Sequence, residues 1–486
     1  IGVHSLNVGV GSNMMEYRSE GESYTGVGFV NPDMVFIGAA ISFEENSSPN
    51  GSYDKSRLVG FFGNVNYGYD NRYFLDLSFR TDGSSKFGRN SRFAPFWSVG
   101  VAWNVHKEAF WSGDEKSSLK LRASVGSTGT TNFSSTQALT TYNYDFSKIY
   151  NGVFGVSLAG YGNPELKWQN TISYNVGVDM TLLKGLVTFN GDFYIKNTEN
   201  LLLPLTVAPS TGFSSYVENI GKLRNTGIEG RLRLNLIRDT QRDLRWNVTL
   251  SAFHNKSKIT KLSNQLEEIN KYANSDWYNQ GTVVYRQYEA GRSQTALMMV
   301  RSGGIDPATG NEVYIKRNGE LTFEYDANDK VKCGDMKPTI EGNVNTNLTW
   351  KGFTLYMLFK YQFGAKAYNG TLASKVEGAN PYKNADKRVL YDRWKEPGDH
   401  AKFRRIDDRT SPYQTTRLVF DNDLFSLSSV SLSYELPRDI SQKIYADRVR
   451  LMLSTTDVFR LSTIKQERGT SYPFARTFNL SLNVTF

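Results

Sequence analysis

The last ten residues, TFNLSLNVTF, alternate without a break. Phe478, Leu480, Leu482, Val484 and Phe486 fall on one face of a strand, and Thr477, Asn479, Ser481, Asn483 and Thr485 on the other, because successive β side chains point to opposite sides. One face is wholly apolar; the other is polar but uncharged. In a soluble sandwich the apolar face would meet a core. In a membrane barrel it would meet lipid while the polar face lined a wet interior. This stretch alone is compatible with both.

The same period returns along the chain. Ile172, Tyr174, Val176, Val178, Met180 and Leu182 share a face, as do Val187, Phe189, Gly191, Phe193 and Ile195, and Phe353, Leu355, Met357, Phe359, Tyr361 and Phe363. About fourteen strands of roughly 10–15 residues are expected, longer than the usual globular strand and matched to a tilted membrane crossing. They fall near 3–16, 55–69, 72–82, 93–105, 117–127, 168–183, 186–197, 223–237, 244–257, 339–350, 353–364, 420–436, 446–457 and 474–486. The gaps alternate. Asp70-Asn71, Lys184-Gly185, 238–243 and Lys351-Gly352 are short, while 106–116 and 437–445 have room for a helical turn. Stretches 17–54, 128–167, 198–222, 258–338 and 365–419 are long, and 83–92 and 458–473 are modest. Short turns on one side and long loops on the other are the layout of an outer-membrane barrel, which a soluble sandwich has no reason to adopt. Within it Val344, Leu348, Trp350, Leu355, Met357 and Phe359 are expected to face lipid, and Asn343, Asn345, Asn347 and Lys360 the lumen. The final strand then runs inward, and Phe486 stands where barrel-assembly machinery can meet it.

Composition agrees. Hydrophobic residues make up only 39% of the 486, yet 13% are aromatic, with 28 Tyr, 29 Phe and 42 Gly; alternation hides hydrophobicity in just this way. No apolar run approaches the ~20 residues of a spanning helix. The net charge of +9 is scattered over strands and turns without a basic block, so nucleic acid is not expected as a partner. The single Cys333 excludes an internal disulfide or a multi-cysteine metal site. His4, His106, His254 and His400 stand in no triad or zinc arrangement, and no enzymatic activity is expected. Ile1 enters a strand already under way, with no leader pattern, so the expectation is the C-terminal part of a longer protein.

Several stretches carry a resemblance: RYFLDLSFRTDGSSKFG (72–88), LKLRASVGSTGTTN (119–132), NPELKWQ (163–169), NTGIEG (225–230), GIDPATGNEVY (304–314), GDMKPTIEGNV (334–344) and the terminal Phe486. In this order they resemble the SusC/RagA group of TonB-dependent outer-membrane transporters. The resemblance implies an all-β fold, a transmembrane antiparallel β-barrel of about 22 strands of which 1–486 supplies about fourteen, with the plug and N-terminal regions outside this chain. On that basis strands 3–16 and 474–486 are expected not to pair with each other. It further implies import of large oligomeric nutrients, a glycan foremost or a peptide, together with a SusD-like surface lipoprotein and TonB, in a dimer of transporter–lipoprotein pairs. A structural or adhesive barrel without import and a passive porin are the alternatives.

Candidate contacts for cargo or partner lie in the long loops. NSDWYNQGTVVYRQY (274–288) sets Trp277, Tyr278, Tyr285 and Tyr288 among amides. NPYKNADKRVLYDRW (380–394) offers Tyr382, Arg388, Tyr391, Asp392, Arg393 and Trp394. Aromatic faces stack on sugar rings while amides, carboxylates and guanidinium groups bond hydroxyls, and the same types suit a protein partner. Against this stands packing of the loops on themselves, or a membrane girdle; the second stretch also has a helical rhythm. EYDANDKVKCGD (324–335) sets Asp326, Asp329 and Asp335 at short intervals as a calcium loop would but lacks the Gly and closing Glu of an EF-hand, so no cofactor is expected beyond a loop-bound calcium as the alternative to a hydrated turn. GSSKFG (83–88) joins two strands, misses the phosphate-loop spacing, and is read as a hairpin tip whose glycines serve turn geometry.

Overall fold

A computed structural model describes residues 2–486 except 24, 32, 34–35, 44–49, 131–136, 207–214, 220, 263–269, 271–273, 275–286, 381, 409 and 466–474. Fourteen strands form one antiparallel sheet: β1 (His4–Ser23), β2 (Asn50–Tyr69), β3 (Tyr73–Ser84), β4 (Phe93–Asn104), β5 (Ser118–Thr130), β6 (Gln169–Leu182), β7 (Val187–Glu199), β8 (Lys222–Asp239), β9 (Leu244–Lys261), β10 (Ile340–Trp350), β11 (Phe353–Phe363), β12 (Leu424–Glu435), β13 (Arg448–Ser462) and β14 (Phe478–Thr485). Each pairs with its neighbour in sequence order, and β1 and β14 are the two edges, with no pairing between them. All fourteen expected strands are present; β1, β2 and β9 run several residues further into the long-loop side than the alternation indicates. Helical turns occur where the short connections have room for them, at Val105–Lys107 and at Arg438–Ser441 with Gln442–Ile444.

The register carries one facing pattern across the sheet. Val8, Val65, Leu77, Val99, Val125, Tyr174 and Ile195 form a continuous cross-strand row, and Leu250, Val344, Phe359 and Leu427 another on the same face. Val344, Leu348, Trp350, Leu355, Met357 and Phe359 all lie on this apolar side, and Asn343, Asn345, Asn347 and Lys360 on the other. Leu358 joins the polar side opposite Asn345. The apolar side stays open: Val176 is 60% and Ile228 57% exposed. So much exposed apolar surface suits hydrocarbon and not water.

At the short-turn end this face carries an aromatic belt. Tyr69 stacks on Tyr73 and Tyr73 on Trp103, with centroids 6.5 and 6.4 Å apart, and Phe353 meets Tyr434 at 4.4 Å. Amphipathic rings of this kind settle at the membrane–water boundary. The polar face is knit by charge. Arg122 of β5 reaches Asp179 of β6 at 2.7 Å and Asp192 of β7 at 3.1 Å, and Asn190 donates to Asp179 at 2.8 Å.

Two of the quoted motifs meet in the long-loop region. Phe87 of GSSKFG is buried against Trp168 of NPELKWQ, with centroids 4.2 Å apart, and Phe96 completes the cluster. The Trp168 indole donates to the Arg92 carbonyl at 3.0 Å, and the Gly88 N–H to the Leu166 carbonyl at 3.2 Å. Here the turn-geometry reading of the tip glycines needs correcting. Gly88 has an ordinary φ of −56°, and a Cβ there would lie 1.7 Å from the Pro164 carbonyl oxygen. Glycine is required for close approach of backbone to backbone, not for a left-handed turn.

Candidate functional site

The two longest loops, 262–339 between β9 and β10 and 364–423 between β11 and β12, fold with short strands of their own. Ala296–Met299 pairs with Val331–Asp335, Arg301–Ile305 with Glu312–Ile315, and Lys366–Tyr368 with Val419–Asp421. The hairpin built from GIDPATGNEVY turns on Asp306, whose carboxylate accepts the Thr309 N–H and hydroxyl at 3.1 and 2.7 Å while its carbonyl accepts the Gly310 N–H. Gly310 has φ +73° and presents its bare Cα to the Trp394 ring. Trp394 in turn donates its indole N–H to the Pro307 carbonyl at 2.8 Å, and Arg405 lies over its face at 5.7 Å. The tip of one loop is thus clasped by the other.

Beneath that clasp sits an ionic cluster buried almost completely. Arg417 bonds Glu312 at 3.0 Å and Glu377 at 2.7 Å, and Arg404 bonds Glu377 at 2.9 Å and Asp408 at 2.5 Å. The Thr415 hydroxyl donates to Glu312 at 2.6 Å, and the backbones join where Thr416 N–H meets the Val300 carbonyl at 3.1 Å. Although burial opposes its charge, Arg417 is held well above the usual guanidinium range by Glu312 and Glu377. Arg393 is displaced the other way, chiefly by burial, with Arg404 and Arg417 adding repulsion. Its guanidinium donates to the carbonyls of Val389, Arg404, Val376 and Glu377. Ala373, Val376, Phe403 and Leu418 pack beside the cluster with Tyr368 and Leu372. Charges so placed contribute less to net stability than to fixing one arrangement of the two loops, because removing either partner strands the other in a low-dielectric interior.

Next to this cluster opens a cleft of about 530 Å³ lined by Leu372, Arg388, Tyr391, Asp392, Lys402 and Phe420, among others. Asp386 grips Arg388 with both oxygens, at 3.0 and 2.7 Å, and this contact lowers its own pKa to about 2. Asp392, at φ +55°, pairs with Lys402 at 3.0 Å, and its carbonyl accepts the Lys402 and Phe403 N–H groups. Tyr391 is 64% exposed. Arg388 also borders a second, polar cleft with Lys375, Asn380, Lys383 and Asp386.

The residues singled out by sequence therefore divide. Arg388, Tyr391 and Asp392 converge on one cleft, and Tyr382 is exposed nearby in the sequence. Arg393 is buried and Trp394 holds the clasp, so these two serve the internal packing that was weighed against ligand contact. Tyr288 packs against Leu201, Leu223 and Ile259. Trp277, Tyr278 and Tyr285 lie outside the described residues. The helical rhythm of 380–394 yields a single 3-10 turn, Lys387–Leu390, capped by Asp386. Asp326 caps the 3-10 turn Ala327–Asp329 by accepting from Asn328 N, Asp329 accepts from Arg317 N, and Asp335, at a strand end, accepts from the Thr295 hydroxyl; among the described residues no group of three His, Cys, Asp or Glu could hold a metal ion. Sequence reasoning missed Glu312, Glu377, Arg404 and Arg417, which are far apart in the chain. A signal existed for Glu312 and for the buried Tyr314, since both lie in the GIDPATGNEVY stretch.

Comparison with known proteins fits this architecture. The family model for the TonB dependent receptor-like β-barrel matches residues 2–296. TonB-dependent receptor P3 of Formosa agariphila is 28% identical over the whole of this chain and 51% of its own length, and TonB-dependent receptor SusC of Bacteroides thetaiotaomicron is 25% identical over 75% of this chain and 38% of its own. The chain spans about half the length of the first of these relatives. Among solved structures, the RagAB peptide transporter superposes with a TM-score of 0.81 at 23% identity, covering 95% of this chain and 50% of that one. The chain belongs to the TonB-dependent receptor β-barrel family, is similar to its SusC and RagA members, and is integral to the bacterial outer membrane.

Proposed function

We propose that this chain is the barrel and capture-loop portion of an energised importer of large oligomeric nutrients, working with a SusD-like lipoprotein that docks on its long-loop side. The observation that carries the reading is the union of the two longest loops into one body through Glu312, Glu377, Arg404 and Arg417. An oligomer too large to diffuse through a narrow pore must be caught outside and released inward by an energy source. Capture needs a surface that keeps its shape, and a TonB-coupled plug would drive release. Unpaired sheet edges in lipid would strand backbone groups at several kcal/mol each, so β1 and β14 are completed by further strands in a closed barrel of about 22.

The cargo is read first as a glycan. Exposed Tyr391 and Tyr382 offer faces for sugar rings, beside amide and carboxylate partners for hydroxyls. A peptide is the second reading, favoured by the charges of Arg388, Asp392 and Lys402 around one cleft. Deleting 380–394 in the full-length protein tests the assignment. Loss of both lipoprotein pull-down and uptake, with the barrel assembled, is expected. Retention of both would refute it, and uptake that survives collapse of the proton gradient would indicate a passive porin. Competing labelled oligosaccharides against oligopeptides distinguishes the cargo classes.

A further inference from the structure

The apolar face is not uniform. Gly191 of β7, Gly230 of β8, Ala252 of β9 and Gly342 of β10 lie in one cross-strand row, so for four strands the surface carries nothing larger than a methyl group. At Gly342 the Tyr361 ring closes the row, its hydroxyl donating to the Ser251 carbonyl at 2.9 Å. The Phe189 ring leans over Gly191, and beside it a trough of about 580 Å³ remains over Gly230 and Ala252, walled by Val178, Phe189, Phe193 and Ile228, with His254 at its long-loop end. Its surface is almost wholly apolar, and it faces hydrocarbon.

Directly beyond it on the same face stand cations. Lys256 and Lys258 follow His254 at two-residue steps, which places them about 7 and 14 Å further along the strand. Arg224 is opposite Lys258, and Lys222 opposite Lys261. Like charges directly opposed on one sheet face destabilise it. Glu199 offsets Lys222 at 2.5 Å, and Arg224 donates to Asn197 at 2.8 Å, but among the described residues Lys256 and Lys258 have no carboxylate partner. Elsewhere on this face the corresponding charges neutralise one another: Glu16 holds Arg57 and Lys55 at 2.6 and 3.0 Å. The unneutralised group stands where an apolar trough reaches the headgroup layer, which adds roughly 5–8 Å beyond the hydrocarbon on each side.

We propose that this face of β7–β9 is a binding site for a lipid of the outer leaflet whose phosphate-bearing headgroup is net anionic. One acyl chain lies in the Gly230–Ala252 trough beside the Phe189 ring, and the phosphate is held by Arg224, Lys256 and Lys258. The phosphate relieves the Arg224–Lys258 opposition, and the chain fills a groove that bulk lipid would cover poorly. Each cation near an anionic headgroup strengthens the attraction several-fold, so together they are worth roughly a hundredfold in affinity.

The test is native mass spectrometry of the full-length protein released from detergent micelles doped with diphosphoryl lipid A, with phosphatidylcholine, whose choline balances its phosphate, as the net-neutral comparison. Retained lipid A is expected for the wild type and for the control Lys55→Ser/Arg57→Ser. Arg224→Ser/Lys256→Ser/Lys258→Ser should weaken retention roughly a hundredfold. Gly230→Leu, whose added Cβ finds ordinary contact distances of 3.6 Å and more, should weaken it by filling the trough. The proposal is overturned if the triple variant retains lipid A as the wild type does, if Gly230→Leu has no effect, if phosphatidylcholine is held equally well, or if inorganic phosphate displaces the lipid completely. Heat-modifiable migration of each variant verifies that its barrel has assembled.

Discussion

Arg417→Met is the most informative single change in this protein. The substitution keeps a side chain of similar length but removes the charge that joins Glu312 of one loop to Glu377 of the other. Glu377 retains Arg404 at 2.9 Å; among the described residues Glu312 retains only the Thr415 hydroxyl. Breaking a buried pair by removing one partner costs about 3–5 kcal/mol, and at 1.36 kcal/mol per decade that is roughly two to four decades in the local opening equilibrium. Hydrogen exchange on the assembled barrel reads this at Ser302, Thr416 and Arg405, whose amide N–H groups bond across the two loops. All three should lose protection together while amides of β2–β5 keep theirs. Adding Glu312→Gln, which removes the stranded charge, should recover part of the loss, so the double variant costs less than the sum of the singles. Unchanged protection in either loop after Arg417→Met would refute the idea that this cluster unites them.

Other consequences follow from single contacts. Leu355→Arg, on the lipid side of β11 near mid-membrane, should cost about 2–4 kcal/mol, measured by urea unfolding in a bilayer or micelle. Gly88→Ala should destabilise the 85–92 tip by about 1–3 kcal/mol, since its Cβ would meet the Pro164 carbonyl; faster proteolysis at the tip would report it, and wild-type resistance would refute the close-approach account. Burial lowers the Lys330 pKa to about 8, so between pH 8 and the unfolded value of 10.5 the unfolded chain binds more protons and the loop gains stability as pH rises. Lys330→Met should flatten that rise in an exchange-versus-pH series. Asp386 acts with the same sign in an acidic window: its stabilising contribution is full above its unfolded pKa of 3.8 and is lost as pH falls through about 2, detectable as loosening of Lys387–Leu390.

Strand positions and facing were legible in the sequence because both rest on local properties. A strand in lipid needs one apolar side, its period is two, and a one-residue slip would put every Asn of β10 into hydrocarbon. The alternation in β6, β7, β11 and β14 therefore specified the facing as well as the strands. The alternating connection lengths likewise placed every short turn. The loops yielded less, since their apolar and charged residues follow no period. From the sequence Arg393 and Trp394 looked like ligand contacts as much as Arg388 and Tyr391 did, because residue type records chemistry but not burial. Whether a guanidinium faces solvent or four backbone carbonyls is decided by segments remote in sequence, here Val376–Glu377 and Arg404.

The sequence by itself thus determined the strands of the sheet and their division into a lipid side and a wet side, both through a two-residue period. Tertiary structure alone decided which loops act together and where the surface departs from uniformity. Glu312 meets Arg417 across more than a hundred residues, and the Gly191–Gly230–Ala252 row appears only once three strands are aligned. Both depend on where separate segments come to rest, which no local pattern encodes.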